Sequence, residues 1–279
     1  MAKQSKLMVE LFFEMKNKFE KIKLFSKRMR KTILETSFKC GEPSHIGGAL
    51  SIVDIMAVLY GDVLDINIKR PRDRFILSKG HGFLALLSAL HCADFIKKKK
   101  LETFQSNGSD FIAHPIMNEK LGIESSNGSL GQGLSYGIGI SIAYKKISKK
   151  GSIYVVLGDG ECYEGAVWEA AISATESNLT NLTAIVDCNG FQNDGKIGPK
   201  MNVKDIKKKW EGFGWKTLVC DGHNLKDIYK CLHSKKTNQP TAIIAKTIKG
   251  KGVKFMENNN DWHHGRLTKN LYEQAVKNL

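Results

Sequence analysis

Proline is scarce, with five residues in 279, and the six cysteines never stand in a C-x-x-C pair. The second absence argues against a zinc ribbon and a dithiol redox motif, so Cys40, Cys92, Cys162, Cys188, Cys220 and Cys231 read as buried or free thiols in a reducing compartment. No apolar run approaches the ~20 residues that span a bilayer. The opening stretch is charged throughout, and Glu10 and Glu14 break any signal-peptide core. Internal repeats and low-complexity linkers are also missing. These absences predict an intracellular, cytoplasmic protein with no membrane association.

What is present fits a soluble globular chain: 42% hydrophobic and 25% charged residues. The length is ample for a core that needs no disulfide or metal staple. The net charge of +15 raises nucleic acid as a partner. Lysine runs carry most of the excess, at 97–100, 145–146, 149–150 and 207–209. They flank predicted helices as solvated turns, and no nucleic-acid-binding motif accompanies them. Nucleic acid is therefore not expected, whereas a basic surface suits phosphorylated metabolites.

Residues 1–39 form an N-terminal helical segment, with Leu7, Leu11, Phe12, Met15, Phe19 and Ile22 at steps of three and four. A short helix over 51–60 is expected to open at Ser51, with Asp54 in capping-box-like spacing. Another spans Gly82 to Cys92. The period then changes. Ile153–Leu157 is short, apolar and β-branched, and Gly-Asp-Gly follows it, which predicts a buried parallel strand. Leu182–Asp187, Lys216–Cys220 and Thr241–Lys246 repeat the theme, with helices over 164–177 and near 224–233. Alternating strand and helix predicts an α/β fold, a three-layer doubly wound parallel sheet, as one domain over 1–279. Ligands of such sheets sit beyond the carboxyl ends of the strands. Loops 158–164, 187–195, 220–224 and 247–265 are the candidates.

Within them, Gly158-Asp159-Gly160 is followed by Asn189, with 28 residues between Gly160 and Asn189. A carboxylate and an amide oxygen from neighbouring strand ends suit a hard cation such as Mg²⁺, which shares its shell with phosphates. Flanking glycines let backbone approach those phosphates, and the next helix aims its amino end at them. The competing reading is two unrelated turns.

The GDG…N pattern resembles the thiamine-diphosphate motif, and the surrounding text resembles transketolase. RDRFILSKGHG (72–82), SNGSLGQGLSYGIG (126–139), GDGECYEGAVWEA, DCNGFQNDG and KTIKGKGVKFMENNNDWHHG (246–265) follow the family's order from about residue 25 onward. The resemblance implies the diphosphate-binding domain of the thiamine-diphosphate fold, and an N-terminal subunit of a split transketolase. Such a subunit works with a separate C-terminal, pyrimidine-binding subunit that carries the catalytic glutamate and the sugar-phosphate arginines. The expected assembly is a hetero-oligomer. The implied reaction is transfer of a two-carbon ketol unit from a ketose to an aldose, both as sugar phosphates, in carbohydrate metabolism such as the pentose phosphate pathway. The implied cofactors are thiamine diphosphate and Mg²⁺, with Ca²⁺ or Mn²⁺ as substitutes.

Residue by residue, the resemblance implies that Asp159, Asn189 and the Phe191 carbonyl hold the metal. His81 and His263 contact the diphosphate. His45 and His263 lie near the substrate oxygen that exchanges a proton, and His114 hydrogen-bonds a donor-sugar hydroxyl. Gly128 and Leu130 place backbone against the aminopyrimidine, Gly158 and Gly160 lie at the diphosphate, and Glu164 lies at the cofactor site. Glu164 and Glu169 also serve the dimer interface. His263 follows Trp262 directly and aligns with the family histidine; the adjacent His264 is the alternative. Two departures are Pro43-Ser44-His45, where the family has Ser-Gly-His, and Asn127, where many members have threonine. Competing readings are a 2-oxo acid dehydrogenase α chain, a deoxyxylulose-phosphate synthase, and a non-catalytic cofactor-binding or regulatory protein.

Overall fold

A computed structural model describes residues 2–66, 72–234, 237–277 and 279, with the side chains of 2–14, 200 and 203 outside the description. The chain opens with α1 (Ala2–Cys40), α2 (Ile46–Ser51) and α3 (Val53–Val58), the last running into a π-helical turn at Leu59–Val63. Then come β1 (Arg74–Leu77), α4 (Phe83–Cys92), α5 (Lys98–Leu101), α6 (Gln132–Lys146), β2 (Ile153–Gly158), α7 (Gly165–Glu176) and β3 (Leu182–Cys188). A two-residue hairpin, β4 (Phe191–Gln192) and β5 (Gly195–Lys196), precedes α8 (Val203–Gly212), β6 (Lys216–Asp221), α9 (Leu225–Leu232), β7 (Thr241–Lys246) and α10 (Lys269–Lys277).

The main sheet is wholly parallel, in the order β1-β2-β3-β7-β6. Alternation along each strand divides the core in two. Ile153, Val155 and Leu157 face a layer built with Val167 and Ala171 of α7 and Ile206 and Trp210 of α8. Tyr154 and Val156 face the layer of Met29, Ile33, Leu50, Met56 and Leu87, from α1 to α4. Both faces of the inner strands β2, β3 and β7 are covered, so these read as largely apolar runs. This is the expected three-layer parallel arrangement. Among the described residues no helix is long and apolar enough to cross a membrane, and all six cysteines are free thiols.

Several local expectations change. The side chains of Leu7, Leu11 and Phe12 lie outside the described residues, and Met15 is exposed while Ile22 is buried. The helix expected over 51–60 is divided at Ile52, and Ser51 closes α2 rather than capping α3. Its hydroxyl donates instead to the Gly48 carbonyl at 2.9 Å and to Asp187 at 2.6 Å. Asp54 is turned to Arg30 and His223. Strand β1 adds a fifth member to the four expected strands.

The glycine-rich stretch 132–139 is the first half of α6. Its glycines serve close packing: a Cβ on Gly133 would lie 2.5 Å from the Ser78 Cβ and 2.6 Å from the Ser78 Cα. Gly133→Val should therefore destabilise the fold by about 1–3 kcal/mol through overpacking. A lowered urea midpoint at unchanged m-value checks this, and an unchanged midpoint refutes it.

Candidate functional site

Register brings the strand ends level: Leu77 pairs with Val156, Gly158 with Asp187, and Cys188 with Lys246. The loops after β1, β2, β3 and β7 thus meet at one edge, beyond the strands' carboxyl ends. The start of α2 joins them by backbone pairing, since Ser44 N–H donates to the Gly265 carbonyl at 3.0 Å and Gly265 N–H returns the bond at 3.1 Å. Gly47 O accepts from Gly250 N–H at 2.9 Å. These bonds bring residues about 45 and about 263 together despite their distance in the chain.

The histidines cluster there. The ring of His45 lies 6.1 Å from His81, 5.2 Å from His114, 5.5 Å from His263 and 4.6 Å from His264, between centroids. His81 and His263 are 5.2 Å apart. His114 packs over Gly80 and Gly128. Burial, then the neighbouring imidazoles and Lys249, pushes His45 down to about 3. Burial, then Lys249 and Lys79, pushes His263 down to about 4. Burial also lowers His81 and His114. These groups are neutral near pH 7, each with one ring nitrogen as donor and one as acceptor. The Nδ1 of His45 is buried and has no hydrogen-bond partner in the described chain.

Beside the histidines lies a buried charge system. Asp159, fully buried, accepts from Gly160 N–H at 2.8 Å and from Gly190 N–H at 2.6 Å. No lysine, arginine or histidine of the described residues forms an ion pair with it. Burial, followed by repulsion from Asp187, raises its carboxyl to about 7. Asn189 Oδ1 accepts from Phe191 N–H at 2.9 Å while its Nδ2 donates to Asp187 at 2.9 Å. Each of these oxygens has lone-pair capacity left. A carboxylate, an amide and a nearby carbonyl make an all-oxygen donor set, which suits a hard cation. Among the described residues no three His, Cys, Asp or Glu side chains are arranged to hold a metal, so any cation here must draw on amide and carbonyl oxygen.

The remaining expected residues are distributed around this centre. Gly158 is buried at the end of β2, and a Cβ on Gly160 would meet Gln192 at 2.8 Å. Gly128 is exposed and Leu130 half-buried in the loop before α6. Glu164 is exposed at the N-cap of α7, its carboxylate not capping the helix, and Glu169 is exposed one turn on.

Sequence reasoning missed four charged groups. Lys79 and Asp187, both fully buried, form an ion pair. Burial pushes the Asp187 carboxyl up, but Lys79 outweighs it, with Ser51 and Thr247 donating as well, and holds it below the usual carboxylate range. Lys249 Nζ donates to Asn260 Oδ1 at 2.6 Å and to His263 Nδ1 at 2.9 Å, which leaves the His263 proton on Nε2. Burial, then repulsion from Lys79, lowers Lys249 to about 8. Glu161 accepts from Ser78 Oγ at 2.5 Å, Gly131 N–H at 2.8 Å and Gly158 N–H at 3.0 Å, and so ties three loops together. The available signal was position: Lys79, Glu161 and Lys249 follow strand ends within a few residues, and Asp187 is the next-to-last residue of β3.

Comparison with known proteins gives a consistent result. The family described as "Transketolase, thiamine diphosphate binding domain" matches residues 31–279. The chain is 38% identical over 266 residues to an apulose-4-phosphate transketolase subunit of Phocaeicola vulgatus, covering 93% of this chain and 94% of that one. It is 37% identical to the 6-deoxy-6-sulfo-D-fructose transketolase subunit SqwG of a Clostridium species, covering 90% and 93%. Human transketolase is 35% identical, over 94% of this chain but only 42% of its own length. The crystal structure of Campylobacter jejuni transketolase superposes with a TM-score of 0.84 at 30% identity, covering 92% of this chain and 42% of that one.

Proposed function

The chain belongs to the transketolase family by its thiamine-diphosphate-binding domain, and on that premise we propose that it supplies the diphosphate and metal half of a two-subunit ketol transferase. The observation that carries this reading is the meeting of His45, His81, His263 and Lys249 with Asp159 and Asn189 at one edge of the sheet. Relatives that match along most of their length include proteins named as transketolase subunits. The working partner is a separate pyrimidine-binding subunit, the assembly a hetero-oligomer, and the setting the cytoplasm. The substrates are a donor ketose and an acceptor aldose, as sugar phosphates of carbohydrate metabolism such as the pentose phosphate pathway.

The residues fit the cofactor. Asp159 and Asn189 side chains and the Phe191 carbonyl would hold Mg²⁺, and a buried carboxylate with no cationic partner is suited to accept it. Gly158 and Gly160 would lie at the diphosphate, with His81, His263 and Lys249 as its donors. Gly128 and Leu130 would lie along the aminopyrimidine. Glu164, exposed at the mouth of the site, would reach the cofactor or the facing subunit. Bound thiamine diphosphate supplies the nucleophile and the electron sink for carbon–carbon cleavage.

The chain's own part is orientation and proton transfer. Neutral His45, at the centre of the histidine cluster, would exchange a proton with a substrate oxygen. His263 presents Nε2–H beside it, because Lys249 occupies Nδ1. His114 offers a hydrogen bond to a sugar hydroxyl. The test is reconstitution. The purified chain with thiamine diphosphate, Mg²⁺ and a ketose phosphate should show less than about 1% of the turnover it reaches with a pyrimidine-binding subunit, a gap of more than about 3 kcal/mol in the barrier. Full turnover by the isolated chain, or activity with pyruvate alone, overturns the reading.

A further inference from the structure

Loop 220–224 ends at the same sheet edge as the other loops, yet it contributes nothing to the histidine cluster. Its one imidazole, His223, lies behind the 247–251 segment. The Ile248 N–H donates to His223 Nε2 at 2.9 Å. A nitrogen that accepts this bond carries no proton, so the ring proton sits on Nδ1. Nδ1 lies 3.0 Å from Asp54 Oδ2 and donates to it. The same carboxylate oxygen accepts from Arg30 Nη2 at 2.5 Å, and Arg30 Nε reaches the Lys251 carbonyl at 3.4 Å. Burial pushes the Asp54 carboxyl up, but His223 and Arg30 outweigh it and hold it below the usual range, so it stays an acceptor.

The result is a closed circuit that enters the segment at the 248 amide and leaves it at the 251 carbonyl. The other side of the segment is fixed in the site. Thr247 Oγ1 donates to Asp187, Gly250 N–H donates to Gly47 O, and Lys249 Nζ reaches His263. Lys249, whose carbonyl also accepts from Asn258 N–H at 2.9 Å, is therefore held between an inner set of bonds and this outer latch. That latch borders an open groove of about 600 Å³ lined by Glu20, Lys23, Lys27 and Lys251 among others. Water in the groove can satisfy the Ile248 amide if the latch is lost. Removing it thus costs the segment its placement more than it costs the fold a buried bond.

We propose that His223 is a positioning residue: by holding the Ile248 amide it sets where Lys249 presents its ammonium group to the bound diphosphate. The second half of this rests on the thiamine-diphosphate reading above.

Two isosteric substitutions separate the arms of the imidazole. In His223→Gln the amide oxygen reaches the Nε2 position and keeps the Ile248 bond. In His223→Asn the amide nitrogen reaches the Nδ1 position and keeps only Asp54. In the full-length chain, backbone hydrogen exchange over 247–250 should stay near wild type in the Gln variant and quicken about tenfold or more in the Asn variant. The concentration of thiamine diphosphate for half-saturation, with Mg²⁺ in excess, should rise about tenfold in the Asn variant and less than about threefold in the Gln variant. A purely structural histidine would instead lower both melting temperatures alike and leave the two variants equal in exchange and affinity. That result, or unchanged exchange in the Asn variant, overturns the proposal. If wild type itself fails to bind thiamine diphosphate, the cofactor reading falls, and the exchange comparison still decides whether His223 anchors the segment.

Discussion

Asp159→Asn is expected to weaken Mg²⁺-dependent retention of thiamine diphosphate by about 100-fold or more, since even a group one step removed from a metal costs 10–100-fold. The substitution is isosteric, but Gly160 and Gly190 donate to different carboxylate oxygens, so an amide keeps one of these bonds and turns its N–H₂ toward the other N–H. What disappears is the negative charge that faces a hard cation. The same change should also remove a pH dependence from the stability of the metal-free chain. Burial and Asp187 raise the Asp159 carboxyl to about 7, against roughly 3.9 in an unfolded chain. A raised carboxyl contributes stability that is fully present below the unfolded value and is lost as pH rises through the folded one. The metal-free wild type should therefore lose stability between about pH 4 and pH 7, on the order of 4 kcal/mol, and the Asn variant should not. Calorimetric titration with cofactor and metal checks the first effect, and thermal melts in chelator across that window check the second. Unchanged binding would remove Asp159 from the metal site. An unchanged melting profile would mean that the buried charge is already compensated without metal.

The layered parallel sheet was legible because β2 and β3 are uninterrupted apolar and β-branched runs that end in Gly-Asp-Gly and in Asn-Gly. Strand β1 was not. It has four residues and begins with Arg74, whose guanidinium lies 2.5 Å from Glu124. A charge satisfied by a partner fifty residues away reads as loop when the partner is unseen. The first half of α6 was hidden for the opposite reason. Gly133 and Gly137 look like loop residues, but they are what lets the helix lie against Ser78 and Val155. The four histidines were found through family motifs, and the structure brings His81, His114 and His263 within about 6 Å of His45. Lys79, Asp187 and Lys249 escaped because the sequence shows a lysine-rich chain in which any one lysine reads as solvated. Lys79 pairs with a carboxylate 108 positions away, and no spacing rule connects them. His223 escaped likewise, since Asp54 is 169 positions distant.

That hidden pair carries the largest stability effect expected. Lys79→Met leaves Asp187 fully buried with only neutral donors, Ser51 at 2.6 Å, Asn189 at 2.9 Å and Thr247. Breaking one side of a buried pair costs about 3–5 kcal/mol, which for a chain of this size lowers the melting temperature by roughly 10 °C. The pH dependence should also reverse. In wild type the depressed Asp187 carboxyl contributes stability that is present above its unfolded value and is lost as pH falls through its folded one. Without Lys79, burial raises that carboxyl instead, so the variant should regain stability as pH falls and the proton arrives. The double variant Lys79→Met/Asp187→Asn should recover most of the loss, because replacing both members of a buried pair is often close to neutral. Its cofactor affinity should not recover with the fold. Asn189 Nδ2 donates to Asp187, and a neutral amide oxygen at 187 is a weaker acceptor than the carboxylate, so the 189 side chain and its metal-facing oxygen would be held less firmly. Thermal melts from pH 5 to 8 beside cofactor titrations separate the two effects. A single variant that melts within a few degrees of wild type would show that the charge of Asp187 is balanced elsewhere. A double variant that binds cofactor normally would show that the pair serves the fold alone.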